Sequence, residues 1–285
     1  LDQRIALSRK DGYWPYIQAR DEPPQELVYG EFEVAFFARI LDQACELLQL
    51  QQHSNNKDDK VFCDLGSGTG RLVLAAAALH PWKLARGIEL LQGIHDKAED
   101  TLAQCRRNRQ QPLQEEGSDI SSMSSTAEYA LQTPDGLELL LAPIQLTCGS
   151  FDDPYEFFGD ADIVFVFSTA MPYHVMVNLG REVGRQCPPG CLVITTEYQL
   201  PLGGTIEPHP DDPHLPHGDY KLELVETLSG PCSAVGGEST AFVHRVVESL
   251  GDGRPRTKPE IPVSELAFRV IQDLEAGALN PDPQT

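Results

Sequence analysis

The most constraining feature of the chain is one ten-residue run, Val61-Phe62-Cys63-Asp64-Leu65-Gly66-Ser67-Gly68-Thr69-Gly70. Its first five residues read as a buried strand. The run then enters a turn with glycine at every second position, and glycine reaches positive φ without steric cost and lets a ligand approach the backbone. The apolar stretch Gly70–Leu79 reads as a helix, so the turn presents backbone N–H groups at a helix start, which suits polar and anionic ligand groups. The spacing is GxGxG, whereas the dinucleotide fingerprint is GxGxxG. A phosphate-binding lysine is also missing, because Arg71-Leu72 follows the last glycine.

The next strand, Leu84–Glu89, ends in Gly87-Ile88-Glu89. An acid at that strand end can accept both ribose hydroxyls of an adenosine. The rest alternates as a parallel α/β domain does. Phe32, Phe36, Ile40, Ala44 and Leu47 mark an amphipathic helix within Gln25–Leu50, and Gly93–Arg109 is a polar helix. Further strands fall at Ile144–Cys148, Asp162–Phe167 and Cys191–Tyr198, with a helix at Tyr173–Gln186. Leu137–Leu141 reads as an extra strand or a helical turn, and 200–219 as a long loop. Two late strands follow at Lys221–Leu228 and Ala241–Ser249. The expected fold is a Rossmann-like α/β domain: a seven-stranded, mostly parallel sheet with helices on both faces and a helical N-terminal extension. Its expected division is 1–60 for the extension and its helix, 61–250 for the α/β domain, and 251–285 for a tail. A mobile insertion is expected at 110–136, and a last helix at Val263–Ala278.

Charge narrows the partners. Residues 1–109 hold 14 basic and 16 acidic side chains, whereas 110–249 hold 4 basic and 21 acidic, most of the formal charge of -21. So acidic a middle argues against direct nucleic-acid binding, which needs a basic face, and favours a basic or neutral partner. No stretch approaches the ~18 apolar residues of a membrane span. The seven cysteines form no CxxC pair, so a reducing compartment, cytoplasmic or nuclear, is the simpler expectation. Cys187 and Cys191 are close enough in sequence to bridge. The chain begins at Leu1, so organellar import stays open.

With Asp64–Gly70 and Gly87-Ile88-Glu89 in place, the sequence resembles the class I S-adenosylmethionine-dependent methyltransferases. Within them it looks most like the catalytic domain of the disruptor-of-telomeric-silencing (DOT-type) histone-lysine methyltransferases. Val28-Tyr29-Gly30-Glu31, Asp162–Val166 and the segments Gly190–Thr196 and Val243–Val246 carry the closer match. The resemblance implies S-adenosylmethionine as cofactor, S-adenosylhomocysteine as product, and a lysine in a basic protein as acceptor. It implies that Asp64, Gly66, Ser67, Gly68 and Gly70 line the cofactor and that Glu89 holds its ribose. It further implies that Tyr29 and Glu31 form a lid, that Ser150 and Phe151 meet the adenine, and that Ser168 sits between cofactor and acceptor. Where the family has an Asn-Asn pair and an aromatic residue, this chain reads Phe167-Ser168-Thr169-Ala170-Met171. A small-molecule acceptor, or a cofactor-binding regulatory protein without catalysis, therefore stays open.

Several residues have two readings from sequence alone. Ser168 and Thr169 either orient the acceptor or cap a helix, and Tyr173 or His174 takes a proton or only packs. Glu31 either reaches the cofactor amine or complements a helix dipole. Phe151 stacks on adenine or anchors a turn. His209, His214 and His217, with Asp211 and Asp212, form a substrate-facing lid rather than a metal site, since their spacing matches no closed set of ligands. No metal is expected. Arg106, Arg107 and Arg109 suit a helix C-terminus.

Overall fold

The computed structural model describes residues 32–51, 59–106, 128–132, 134–209, 212–231 and 237–257. The chain parts into Leu1–Pro255 and Arg256–Thr285. Tyr29, Glu31, Arg107, Arg109, Asp211 and the helix expected at Val263–Ala278 lie outside the described residues, as does most of the 110–136 insertion.

Ten strands and four helices make up the described part. The helices are α1 (Val34–Gln51), α2 (Arg71–Leu79), α3 (Gln92–Gln104) and α4 (Tyr173–Gln186). The first strands are β1 (Val61–Leu65), β2 (Leu84–Glu89), β3 (Ala130–Gln132), β4 (Glu138–Leu140) and β5 (Ile144–Cys148). β6 (Ile163–Val166), β7 (Leu192–Thr196), β8 (Gly203–Ile206), β9 (Gly218–Pro231) and β10 (Glu238–Glu248) complete the set. β3 and β4 pair as a small hairpin, so the stretch around Leu137–Leu141 is a strand.

The main sheet runs β5-β2-β1-β6-β7-β10-β9-β8. Its first five strands are parallel, and β10, β9 and β8 each pair antiparallel. The strand order reverses between β1 and β6, the place where open α/β sheets bind ligands at their carboxyl edge. The sheet has one strand more than expected. Gly203-Gly204 has poor strand propensity, yet β8 forms because the glycines admit close approach. A Cβ on Gly203 would stand 2.9 Å from the Tyr220 carbonyl oxygen.

The parity of β1 explains the two-faced burial. Phe62 points to the face covered by α1 and α2, while Val61, Cys63 and Leu65 point to the face covered by α4. The first face is aromatic. Phe37 meets Phe62 and Phe165 edge-on, at centroid distances of 5.9 Å and 5.1 Å. Such pairs contribute ~0.5–1.5 kcal/mol each beyond area burial. On the second face Met176, Leu179 and Val183 of α4 pack with Val164 and Val166 of β6. Cys187 and Cys191 are buried free thiols. No helix among the described residues is long and apolar enough to cross a membrane.

Candidate active site

β1 ends at the point of strand-order reversal, and the turn after it winds back across β2. The N–H groups of Gly66 and Ser67 both donate to the Ile88 carbonyl, at 2.8 Å and 3.0 Å. Gly66, Gly68 and Gly70 have φ of 78°, 56° and 73°, a region that side chains rarely enter. A Cβ on Gly66 would meet nothing within 4 Å, so space remains there for a ligand against the backbone.

Glu89 is 8% exposed and ties this turn down. Its Oε2 accepts the Gly68 N–H at 2.7 Å and its Oε1 accepts the Leu91 N–H at 2.8 Å. The carboxylate thus sets the loop's shape. Burial raises its pKa, against the lowering effect of those N–H donors. Asp64 is 2% exposed, and among the described residues its carboxylate has no hydrogen-bond partner. Burial, with the neighbouring Glu89 charge second, pushes Asp64 up to about 8. A buried carboxyl lacking a partner fits the ammonium of an amino-acid moiety, and Glu89 fits a diol. The residues present therefore suit S-adenosylmethionine. Ser67 is buried against Gly87, where a Cβ would lie 2.8 Å from the serine Oγ. That role of Gly87 escaped the sequence reading, although glycine two residues before the strand-end acid is its visible signal.

The loop after β5 begins with Gly149, whose N–H donates to the Glu89 carbonyl at 2.9 Å. Ser150 follows, and its Oγ accepts the Asp152 N–H at 3.1 Å, a local turn contact. Phe151 is half-buried against the apolar cluster on the α4 face.

The residues after β6 divide. Ser168, expected to orient the acceptor, is fully buried. Its Oγ donates to the Thr196 carbonyl at 2.6 Å and accepts the Thr196 N–H at 3.0 Å. The Thr196 hydroxyl accepts the Ser168 N–H at 3.1 Å. Ser168 is thus a clasp between the ends of β6 and β7, since its single hydroxyl proton is already committed. Thr169 and Tyr173 are exposed at the same edge, Tyr173 by 78%.

The histidine loop lies elsewhere than expected. β7 runs with β1, β10 runs against β7, β9 against β10, and β8 against β9. β8 therefore descends, and residues 207–209 and 212–217 lie at the amino edge, opposite the glycine turn. They cannot form a lid over the cofactor. Asp212 is held there by the Tyr155 hydroxyl at 2.7 Å, which keeps its carboxyl below the usual range. Among the described residues no group of His, Cys, Asp and Glu could hold a metal. His244 is another histidine with a settled role. It is fully buried, its Nε2 accepts the Leu200 N–H at 3.2 Å, and its Nδ1 lies 3.2 Å from the Val193 carbonyl. The neutral Nδ1–H tautomer satisfies both contacts.

The strand order, the glycine turn and the strand-end acid are similar to those of the class I S-adenosylmethionine-dependent methyltransferases. The chain's particular likeness is to the family described as histone methylation protein DOT1, whose model matches residues 21–111, the segment holding the glycine turn and Glu89. The chain is also similar to solved structures. One is the rRNA methyltransferase aviRa from Streptomyces viridochromogenes, at 14% identity and TM-score 0.46, covering 76% of this chain and 86% of that one. Another is the magnesium protoporphyrin IX methyltransferase ChlM from Synechocystis with bound cofactor, at 11% identity and TM-score 0.41, covering 86% and 97%. No curated protein matches the chain in sequence.

Proposed function

We propose that this enzyme methylates the side-chain amine of a lysine in a basic protein. The observation carrying the reading is the DOT1 match across the glycine turn and Glu89. The acid excess of residues 110–249 supports it, because a basic acceptor protein is drawn to such a surface. When bound, S-adenosylmethionine supplies an electrophilic methyl group. The chain's own part is placement. The Gly66–Gly70 backbone holds the amino-acid arm, Asp64 pairs its ammonium, and Glu89 holds the ribose. Ser168 fixes the ends of β6 and β7, so Thr169 and Tyr173 border the acceptor on a rigid edge. Orientation of this kind accounts for much of the rate in a displacement. The acceptor amine would first give a proton to solvent, so that its neutral nitrogen could take the methyl group and leave the bonding pair on the sulfur of S-adenosylhomocysteine.

The absent Asn-Asn pair favours a second reading, a small-molecule acceptor. Tritiated cofactor incubated with the enzyme and cell extract, then split into protein and small-molecule fractions, separates the two. The expected result is label in protein, recovered after acid hydrolysis as N-methyl-lysine. Label confined to the small-molecule fraction overturns the lysine reading.

A further inference from the structure

Resting on the reading above, we propose that the turn after β7 builds the acceptor mouth. In this assignment Glu197 and Tyr198, with Tyr173 on the same edge of the sheet, select a cationic amine as the group to be methylated.

Glu197 has φ of 63° and is the one non-glycine residue with positive φ among the described residues. The Tyr198 N–H donates to the Thr196 carbonyl at 2.7 Å, closing a three-residue γ-turn around it. The positive-φ form of that turn is the rare and strained one. The surroundings hold it in place. The Glu197 N–H donates to the Thr240 carbonyl at 2.8 Å, and the Thr195 hydroxyl donates to the Tyr198 carbonyl at 2.7 Å. The Ser168 clasp grips Thr196 from the other side. Strain kept by so many contacts is a pointer to function.

The turn ends a strand that would otherwise run on, and it displays two side chains. Glu197 is half-buried, and among the described residues its carboxylate has no hydrogen-bond or ion-pair partner. Tyr198 is 51% exposed and Tyr173 78%. Their position is the acceptor side of the cofactor turn. Leu65 of β1 pairs with Val166 of β6, and Val166 pairs with Thr195 of β7. With strands ~4.8 Å apart, the Glu197 backbone stands roughly 10 Å from that of Gly66. A carboxylate attracts an ammonium by charge, and exposed aromatic rings on the same edge add the attraction of their quadrupoles. The same group repels a carboxylate or phosphate acceptor. The turn takes no part in bond making; it chooses what enters.

The test uses the full chain loaded with S-adenosylhomocysteine and a fluorescein-labelled oligolysine peptide. The wild-type protein should bind the peptide, and Glu197→Gln should weaken that binding about tenfold or more. Glu197→Lys should weaken it further. Glu248→Gln, an exposed acid at the opposite edge, should leave it unchanged. All variants should bind S-adenosylhomocysteine as the wild type does. Glu197→Gly adds a control for folding: it relieves the backbone, so Tm should rise by about 2–4 °C while peptide binding is still lost. Wild-type protein that ignores oligolysine, or Glu197→Gln that binds it equally well, overturns the mouth. The two failures are separable. Protein labelling by Glu197→Gln at the wild-type KM removes the mouth and leaves the lysine reading. Peptide binding lost in Glu197→Gln, with label only in small molecules, removes the lysine reading and leaves a mouth for cationic amines.

Discussion

The turns after β1 and after β7 leave the same edge of the sheet with the backbone at positive φ, and they meet the steric problem in opposite ways. After β1, all three left-handed positions are glycines, at φ 78°, 56° and 73°. After β7, the left-handed position falls on Glu197, at 63°. On the function proposed, the backbone is the binding surface in the first turn, and side chains there would obstruct the ligand. In the second, a side chain is the displayed group, and strain is the cost of presenting it. The first turn is anchored by a carboxylate, Glu89, and the second by a hydroxyl, Ser168.

Substitutions at the anchors test that contrast. The largest effect belongs to Glu89→Ala. Calorimetry should show S-adenosylhomocysteine binding weakened roughly 10–150-fold, the worth of a charge-assisted hydrogen bond at ~1.5–3 kcal/mol. Unchanged affinity would detach Glu89 from the cofactor. Ser168→Ala should cost ~1–3 kcal/mol of stability in denaturant titration, because it leaves buried Thr196 backbone groups unpaired. Its cofactor affinity should stay near wild type; a loss as large as that of Glu89→Ala would return Ser168 to the cofactor site. Gly66→Ala should cost least in stability, ~1–2 kcal/mol from φ alone, since its Cβ would meet no protein atom within 4 Å; its effect should fall instead on S-adenosylhomocysteine affinity, because that space is the ligand's.

A pH experiment sharpens the first turn on its own. Asp64, pushed up to about 8, is mostly protonated at neutral pH, and a cationic ligand favours its ionised form. Binding of S-adenosylhomocysteine should therefore release a proton and tighten as pH rises from 6 to 8. Calorimetry in two buffers of different ionisation enthalpy measures this, and Asp64→Asn should abolish it.

Much of this molecule was legible in its sequence, for local reasons. β1, β2, β5 and α4 match their expected bounds, because runs such as Val61–Leu65 and the periodic Tyr173–Gln186 carry their own signal. The glycine turn and Glu89 were legible because their spacing is itself the geometry. What escaped depends on long-range pairing. β8 exists through Tyr220 and β9, which its own Gly-Gly cannot reveal. β7 stops two residues early because Ser168, 28 residues upstream, grips Thr196. The histidine loop was misplaced because the direction of β8 follows from three successive antiparallel pairings, none marked in the loop itself.

The buried His244 has an acid–base consequence when set beside Asp64. Burial holds its imidazole down to about 4, against ~6.5 in an unfolded chain. As pH falls from ~6.5 towards 4 the unfolded chain gains a proton there that the folded one refuses, so stability drops. Asp64 tilts the other way: from its unperturbed 3.8 up to about 8 the folded chain keeps a proton that the unfolded one sheds, so stability drops as pH rises. Between roughly pH 4 and 6.5 the Asp64 slope opposes that of His244. Above that window the His244 slope is gone while that of Asp64 remains, joined by Glu89, whose carboxyl burial also raises, and a ligand ammonium lessens it by drawing Asp64 into its charged form. Mild alkalinity, rather than mild acid, is thus where the ligand-free protein loses most and where cofactor rescues it most.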